Sequence, residues 1–413
     1  MMTKLKLAGQ SKGIHWKRLW ILSWTGAQML SSVSAYAAAN VYLTEVPDYS
    51  WHAGCFGTAT GNLMGFWDRH SFPDFYTGPT AYGVAPLNDF GANIGIHSLW
   101  ASEAGVDGRP ADRPGHLDDY YVSYASTEFD PHVLQGRAEH EADCLGDFIG
   151  LSQNKWKNLN GECDGNIDGY AFAYWDSSGE RRINFTPSSE AGLPAVDIQS
   201  GLRAWTQYRG FHADVFTQLA EINPEVPSGK GFTFQDLTAE IDAGYPVLFF
   251  LQDASRKSRV MSGMERANPL IHAILAYGYV IGTDGAQYVR YRSGFASGDT
   301  LLTPWKQGTM WHQIAPLRGV ISYHPRPKIT DVRQGDGYMT IQWHGPDAEL
   351  FDVSSGTTTK LHWYVTEQAT SLATLDFKPI TRPTTMHTVT IRTPDPQPAF
   401  FRVSLIPPLE GKE

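Results

Sequence analysis

The stretch that decides the fold reads Trp51-His-Ala-Gly-Cys-Phe-Gly-Thr-Ala-Thr-Gly-Asn-Leu-Met-Gly-Phe-Trp67. Its apolar residues Leu63, Phe66 and Trp67 follow the i, i+3, i+4 spacing of one helix face. The pattern predicts a helix that begins just after Cys55. A thiol at a helix start lies beside unpaired backbone N–H groups and the positive end of the helix dipole, and both favour the nucleophilic thiolate.

A second stretch, far along the chain, supplies a histidine. The sequence Asn268-Pro-Leu-Ile-His-Ala-Ile-Leu-Ala-Tyr-Gly-Tyr279 places His272 at the head of an apolar run that is typical of a buried strand. A single cysteine on a helix start and a distant histidine on a strand suit a thiol hydrolase, with a nucleophile and a general base. Each residue alone also fits a plain core position, since cysteine is often a small buried apolar residue. Together they predict an active site.

Length and charge limit the classes of protein that the chain can belong to. With 413 residues it is long enough for two domains and a substantial core. The net charge of −10, from 43 acidic and 33 basic residues, argues against a nucleic-acid binder, which would need a basic face. No apolar run reaches the length of a transmembrane helix, so we expect no membrane span.

The first residues have the pattern of an export signal. Basic residues end at Arg18, a moderately apolar stretch runs from Leu19 to about Val33, and Ala35-Tyr-Ala37 offers small residues for cleavage. We therefore assign residues 1–39 to a signal peptide and expect a secreted or periplasmic bacterial protein. The alternative is an N-terminal amphipathic helix that stays attached.

The three cysteines suggest one disulfide and one thiol. Cys144 and Cys163 lie 19 residues apart in a loop-rich region, which suits a disulfide in an oxidising compartment. Cys55 is then the remaining thiol, although spacing does not determine the connectivity.

The texture of the chain changes near residue 324. Before it, helices are predicted at 202–219, with a break near Gly210, and at 233–243, and strands at 247–251, 271–280, 287–293 and 318–323. Residues 324–328 form a proline-rich linker. After it, strands of alternating polarity are predicted at 338–343, 361–365, 388–392 and 399–403, a spacing typical of a β-sandwich. We therefore predict an α+β domain at 40–323, then the linker and an all-β sandwich at 324–413, which we expect to fold independently from residue 329 onward.

Several segments support a family resemblance. They are Val46-Pro-Asp-Tyr-Ser-Trp-His-Ala-Gly-Cys55, Phe232-Thr-Phe-Gln-Asp-Leu237, Ile241-Asp-Ala-Gly-Tyr-Pro-Val247, His272-Ala-Ile-Leu-Ala-Tyr-Gly-Tyr279, and the loops 115–120 and 143–150. These segments resemble bacterial secreted C39-like, papain-fold cysteine peptidases over about residues 41–323. The resemblance implies a papain-like fold, Cys55 as nucleophile, His272 as general base, and a peptide or protein substrate. The tail resembles the fibronectin-type-III-like modules of such proteins, which implies contact with a cell surface or a polymer.

The chain departs from that family at two positions. The oxyanion-hole glutamine usually precedes the cysteine, where this chain has Trp51 and His52; a tryptophan can donate one N–H. The acid that orients the histidine usually follows on the next strand, where this chain has Ser293. Asp299, in the loop after that strand, is the preferred orienting acid, with Ser293 as a weaker substitute.

Metal-binding patterns are incomplete. Asp164-Gly-Asn-Ile-Asp-Gly169 has the spacing of a calcium loop, but Trp175 occupies the position where an EF-hand has a bidentate acid. His132 and His140 lie in the densest group of histidines and acids, yet no H-E-x-x-H motif occurs. We therefore predict no metal and no cofactor.

Two functions are compatible with these patterns. The first is an exported cysteine hydrolase, a thiol protease that cleaves peptide or amide bonds through a Cys–His thioester mechanism. The second is a catalytically impaired secreted protein that binds peptides or a surface. The missing glutamine and the identity of the orienting group separate the two.

Overall fold

Antiparallel strands make up most of the described chain. The computed structural model describes residues 37–49, 55–73, 75, 84–88, 145–149, 173–187, 197–252, 271–295, 301–370, 377–380, 387–392 and 399–406. Within these ranges the helices are α1 (Cys55–Arg69), α2 (Leu145–Ile149), α3 (Ile198–Tyr208) and α4 (Phe234–Asp242). The strands are β1 (Ala37–Leu43), β2 (Arg182–Ile183), β3 (Ala213–Leu219), β4 (Val247–Gln252), β5 (Ile271–Gly282), β6 (Gln287–Arg292), β7 (Leu301–Pro304), β8 (Leu317–Pro325), β9 (Lys328–Gly335), β10 (Tyr338–His344), β11 (Glu349–Asp352), β12 (Thr357–Lys360), β13 (Trp363–Ala369), β14 (Lys378–Pro379), β15 (Thr388–Arg392) and β16 (Phe400–Ile406).

One large sheet organises the molecule. It has ten strands in the order β12-β11-β1-β5-β4-β8-β3-β2, with β6 beside β5 and β7 beside β6. The first half of β5 pairs with β4, and its second half pairs with β1. Strand β6 pairs with β5 only from Leu275 onward, where Leu275 lies opposite Arg292. The residues directly after β6 therefore lie beside the first residues of β5.

The predicted α+β, papain-like fold is wrong. The structure has long antiparallel sheets and short helices, and it contains no separate helical lobe within the described residues. The residues of α1 from Cys55 to Asp68 are all buried, as in a helix that is covered on every side. Strand β1 precedes α1 in the sequence and β5 follows it, and these two strands pair with each other in the large sheet. The helical periodicity of α1 therefore marks a core helix packed on a sheet.

The predicted all-β sandwich at the C-terminal end is not a separate unit either. Strand β11 pairs with β1, and β12 pairs with β11, so both extend the large sheet. The other strands form two small sheets, β15-β10-β9 and β14-β13-β16, around a core of Met339, Ile341, Trp343 and Tyr364. His324 and Pro325, from the predicted linker, lie in β8, and Ala37 to Ala39, from the predicted signal peptide, lie in β1.

The local predictions for the middle of the chain have mixed outcomes. The helix predicted at 233–243 is confirmed as α4, with Thr233 as N-cap in a capping box with Asp236. The helix predicted at 202–219 is correct only as far as Tyr208. Gly210, at φ 82°, turns the chain, and the residues after it form β3. The remaining predicted strands are all present, with shifted ends.

Aromatic side chains join α1 to the sheet. Phe56 packs on Phe250 of β4 with ring centroids 4.8 Å apart, and Trp67 packs on Tyr245 at 5.7 Å. These contacts lie at the two ends of α1, so the helix is anchored along its length. No helix in the described part of the chain is both long and apolar enough to cross a membrane.

Candidate active site

Cys55 is the first residue of α1. The predicted helix start is therefore confirmed, one residue earlier than the pattern indicated. The side chain is 5% exposed and carries a thiol. The positive end of the helix dipole favours its thiolate form, while burial disfavours a charge.

Two contacts set the first turn of α1 against the sheet. Phe56 packs on Phe250, whose neighbour Leu251 lies opposite His272 in the β4–β5 register. Thr58 packs against Gly294 in the turn after β6; a Cβ atom at Gly294 would lie 3.2 Å from Cγ2 of Thr58. Gly294 has a φ of 75°, a conformation that side chains rarely adopt. The turn of the helix that carries Cys55 therefore packs at the end of β5 that carries His272.

His272 is held in one tautomer by the backbone. Its Nε2 lies 3.0 Å from the carbonyl oxygen of Ser293, and the ring is 1% exposed. A carbonyl oxygen only accepts, so Nε2 carries the proton and Nδ1 carries the lone pair of the neutral ring. Ser293, the predicted substitute orienter, thus contacts His272 through its carbonyl, while its hydroxyl accepts from the N–H of Phe295 at 3.3 Å.

His272 is neutral at physiological pH. Burial, and then the nearby His312, lower its pKa to about 3, and the hydrogen bond to Ser293 opposes this shift in part. A neutral imidazole with its lone pair on Nδ1 can accept a proton, as a general base must. The low pKa favours a resting pair of neutral thiol and neutral imidazole over an ion pair.

Two aromatic rings that the sequence analysis missed lie beside His272. The ring of Phe295 stacks on His272 at 4.6 Å and 19°, and His312 is parallel to Phe295 at 5.0 Å. His312 and Gln313 have φ values of 47° and 59° in the turn that joins Trp311 to Ala315. Phe295 follows a strand end and a glycine, which is a usable signal for a site loop. Nothing in the sequence near His312 indicates its place.

Several predicted site residues lie outside the described residues. They are Trp51, His52, Cys144, Cys163 and Asp299. The oxyanion donors, the disulfide and the orienting acid therefore remain predictions. In the ranges that the structure describes, no group of three or more His, Cys, Asp or Glu side chains is arranged to hold a metal ion.

Comparison with protein-family models, curated proteins and solved structures finds no match for the chain. The resemblance to secreted cysteine peptidases therefore rests on the quoted segments alone. The case for a function rests on the geometry around Cys55 and His272.

Proposed function

We propose that this chain is a cysteine hydrolase that cleaves peptide or amide bonds, with Cys55 as nucleophile and His272 as general base. One observation carries the proposal. The first turn of α1 packs on the Gly294 turn, and the carbonyl of the preceding Ser293 holds His272 with its lone pair on Nδ1. The nucleophile, the base and the group that orients the base thus come from three segments that meet at one end of the sheet.

The reaction needs only these side chains, a carbonyl substrate and water. Nδ1 of His272 accepts the proton of the Cys55 thiol, and Sγ attacks the carbonyl carbon to form a tetrahedral oxyanion. The oxyanion collapses, the C–N bond breaks, and the amine leaves with the proton from the imidazolium. His272 then deprotonates water, which attacks the thioester and releases the acid and the thiol. The carbonyl of Ser293 stabilises the imidazolium of each step, because it accepts a hydrogen bond from Nε2.

A second function is favoured by the burial of the site. Cys55 is 5% exposed and His272 is 1% exposed, so neither side chain lies open to a substrate carbonyl. A group with a pKa near 3 is also a weak base at neutral pH. Both facts suit a catalytically impaired protein that binds peptides or a surface.

Labelling with iodoacetamide, a small thiol reagent, separates the two functions. We expect alkylation of Cys55 in the wild-type protein, identified by peptide mass mapping, to slow about 100-fold in His272→Gln, because the base is lost. His212→Gln removes an exposed histidine elsewhere and should label at the wild-type rate. The same variants are then tested for release of amine from a mixed peptide library. Equal labelling rates in wild type and His272→Gln, with no amine released, would leave the binding function.

We also propose export, with removal of the N-terminal segment. The support is the basic, then apolar, then small-residue order of residues 1–39. Strand β1 begins at Ala37, so cleavage after Ala37 would leave most of β1 paired with β5. N-terminal sequencing of the protein from a periplasmic or culture fraction tests the proposal. A starting residue at Met1 would contradict it.

A further inference from the structure

A cavity at the other end of the large sheet has the lining of an anion site. Its volume is about 420 Å³, within the range of small-molecule sites. The polar side chains that line it include Arg203, Gln207, Asn184, Thr186, His212 and Arg326. The apolar residues among the lining are Ala204 and Ala213. Most of the lining residues therefore offer hydrogen-bonding groups.

The cavity is distant from the candidate active site. His272 lies opposite Leu251, which lies opposite Leu317 at the start of β8. Ala213, in the cavity wall, lies opposite Pro325 at the end of β8. The span from Leu317 to Pro325 is about 26 Å at the rise of an antiparallel strand. Binding at this cavity can therefore be measured separately from chemistry at Cys55.

Arg203 is a fixed cation in the cavity wall. Its Nη1 donates to the carbonyl oxygens of Asn184 at 2.6 Å and Phe185 at 3.2 Å, and to the hydroxyl of Thr186 at 3.4 Å. These acceptors are neutral, and within the described residues Arg203 has no carboxylate partner. Its positive charge is therefore not neutralised locally.

Arg326 is the second cation in the cavity wall, and it forms an ion pair with one carboxylate. Its Nε donates to Asp214 at 2.7 Å, and its terminal nitrogen also contacts that carboxylate. These bonds lower the pKa of Asp214, so the carboxylate stays charged. Asn184 donates to the same carboxylate at 2.7 Å. Two guanidinium groups thus line the cavity and only Arg326 is paired with a carboxylate among the described residues, which leaves a net positive charge in a protein whose net charge is −10.

We propose that this cavity binds a hydroxylated small molecule that carries one oxyanion, a phosphate or a carboxylate. A planar guanidinium group matches both oxyanions with paired N–H donors. The amides of Gln207 and Asn184 and the hydroxyl of Thr186 suit the hydroxyl groups of a sugar. Because no large apolar side chain lines the cavity, a polar ligand fits it better than a lipid or an aromatic ligand.

Isothermal titration of the full chain tests the proposal, with four probes at constant ionic strength: glucose 6-phosphate, glucuronate, glucose and inorganic phosphate. We expect saturable binding of glucose 6-phosphate or glucuronate, and at least tenfold weaker binding of glucose. The stronger of the two sugar acids identifies the oxyanion. Binding of inorganic phosphate with neither sugar acid, or of glucose as tightly as the acids, would overturn the proposal.

Matched variants locate the binding. Arg326→Gln should weaken binding of the sugar acid at least tenfold, whereas Arg318→Gln, which removes a half-buried arginine paired with Glu225 outside the cavity, should not. Because Arg203 ties down the 184–186 segment, Gln207→Ala serves as a second variant on the exposed face of α3 and should also weaken binding. Unchanged affinity in both Arg326→Gln and Gln207→Ala would reject this cavity as the site.

Discussion

At the scale of single residues, Gly294 joins the segment that orients His272 to the helix turn that carries Cys55. It follows Ser293, whose carbonyl orients His272, and it packs on Thr58 in the first turn of α1. A residue with a side chain at this position would have to adopt a left-handed backbone conformation. Its side chain would also crowd Thr58, which is buried at 2% exposure. The spacing between α1 and His272 therefore depends on the absence of a side chain.

Replacing Gly294 by alanine should lower the free energy of unfolding and slow the labelling of Cys55. Gly285→Ala is the matched control, because Gly285 has a φ of 79° but no atom within 4 Å of an added Cβ. Both changes carry the backbone cost of about 1–2 kcal/mol. Gly294→Ala should cost about 1 kcal/mol more from overpacking, as measured by urea unfolding. Equal losses, with normal labelling of Cys55, would show that the contact with Thr58 does not position the site.

At the scale of elements, local capping explains why α4 forms where the sequence predicts it. The Thr233 hydroxyl accepts from the N–H of Asp236 at 3.0 Å, and the Asp236 carboxylate accepts from the N–H of Thr233 at 2.8 Å. The two side chains satisfy donors that a helix start leaves unpaired. Helix α4 ends before Gly244, which has a φ of 90°. Both signals lie within a few residues of the helix.

Thr233→Ala should destabilise the protein by about 1 kcal/mol, because it removes the N-cap acceptor. Thr238→Ala, within the same helix, removes only a hydroxyl bonded to the carbonyl of Gln235 and should be neutral or slightly stabilising. Urea unfolding of both variants gives the comparison. Similar losses in the two would mean that the capping box contributes nothing measurable.

At the scale of the whole molecule, the large sheet spans the predicted domain boundary. Strand β11 pairs with β1, and Ala348 and Leu361 belong to the main hydrophobic core. His362, beside Leu361, accepts from the N–H of Ala348 at 3.0 Å. The C-terminal region therefore shares both hydrogen bonds and apolar surface with the rest of the chain.

A protein that begins at Lys328 should lack a cooperative thermal transition, contrary to the independent folding that the sequence pattern suggests. Without β1, strand β11 keeps only β12 as a partner, and Leu350 and Leu361 lose the core that covers them. Thermal unfolding followed by circular dichroism provides the measurement, with the full chain as control. A sharp β-type transition in the shortened protein would show that the small core of Met339, Ile341 and Trp343 is sufficient.

Buried histidines at the same junction should make the protein sensitive to mild acid. Burial is the largest cause that lowers the pKa of His70, His362 and His387, and it brings His362 to about 3. Below the ordinary pKa of about 6.5, the unfolded chain binds protons that the folded chain does not. The stability that these residues contribute is therefore present above pH 6.5 and is lost as the pH falls, by up to about 1.4 kcal/mol per pH unit for each histidine.

We expect the Tm to fall between pH 7 and pH 5.5, above the range in which most carboxyl groups titrate. His362→Gln should make the Tm depend less on pH, even if it lowers the Tm at pH 7. The control is His212→Gln, which changes an exposed histidine. A Tm that stays constant from pH 7 to pH 5.5 would contradict the assignment of neutral buried histidines.

The sequence by itself determined the elements whose signals are local. The apolar spacing of Leu63, Phe66 and Trp67 predicts α1, the pattern over 233–243 predicts α4, and apolar or alternating runs predict eight of the sixteen strands in the described ranges. At 211–219 the sequence pattern predicts the wrong element: the spacing is helical, but the segment contains Val215, Phe216 and Thr217, which favour strands, and it pairs with β8. Helical spacing over so short a segment is easily outweighed by pairing with a neighbouring strand.

Only the tertiary structure decided how these elements combine. The pairing of β1 with both β5 and β11 joins residues more than 200 positions apart, so no local pattern encodes it. For the same reason the sequence placed a serine near His272 but did not show that its carbonyl, not its hydroxyl, makes the contact. The approach of His312 likewise depends on a strained turn in a distant segment. Local propensity acts over a few residues, whereas the sheet order and the site depend on contacts made when the whole chain packs.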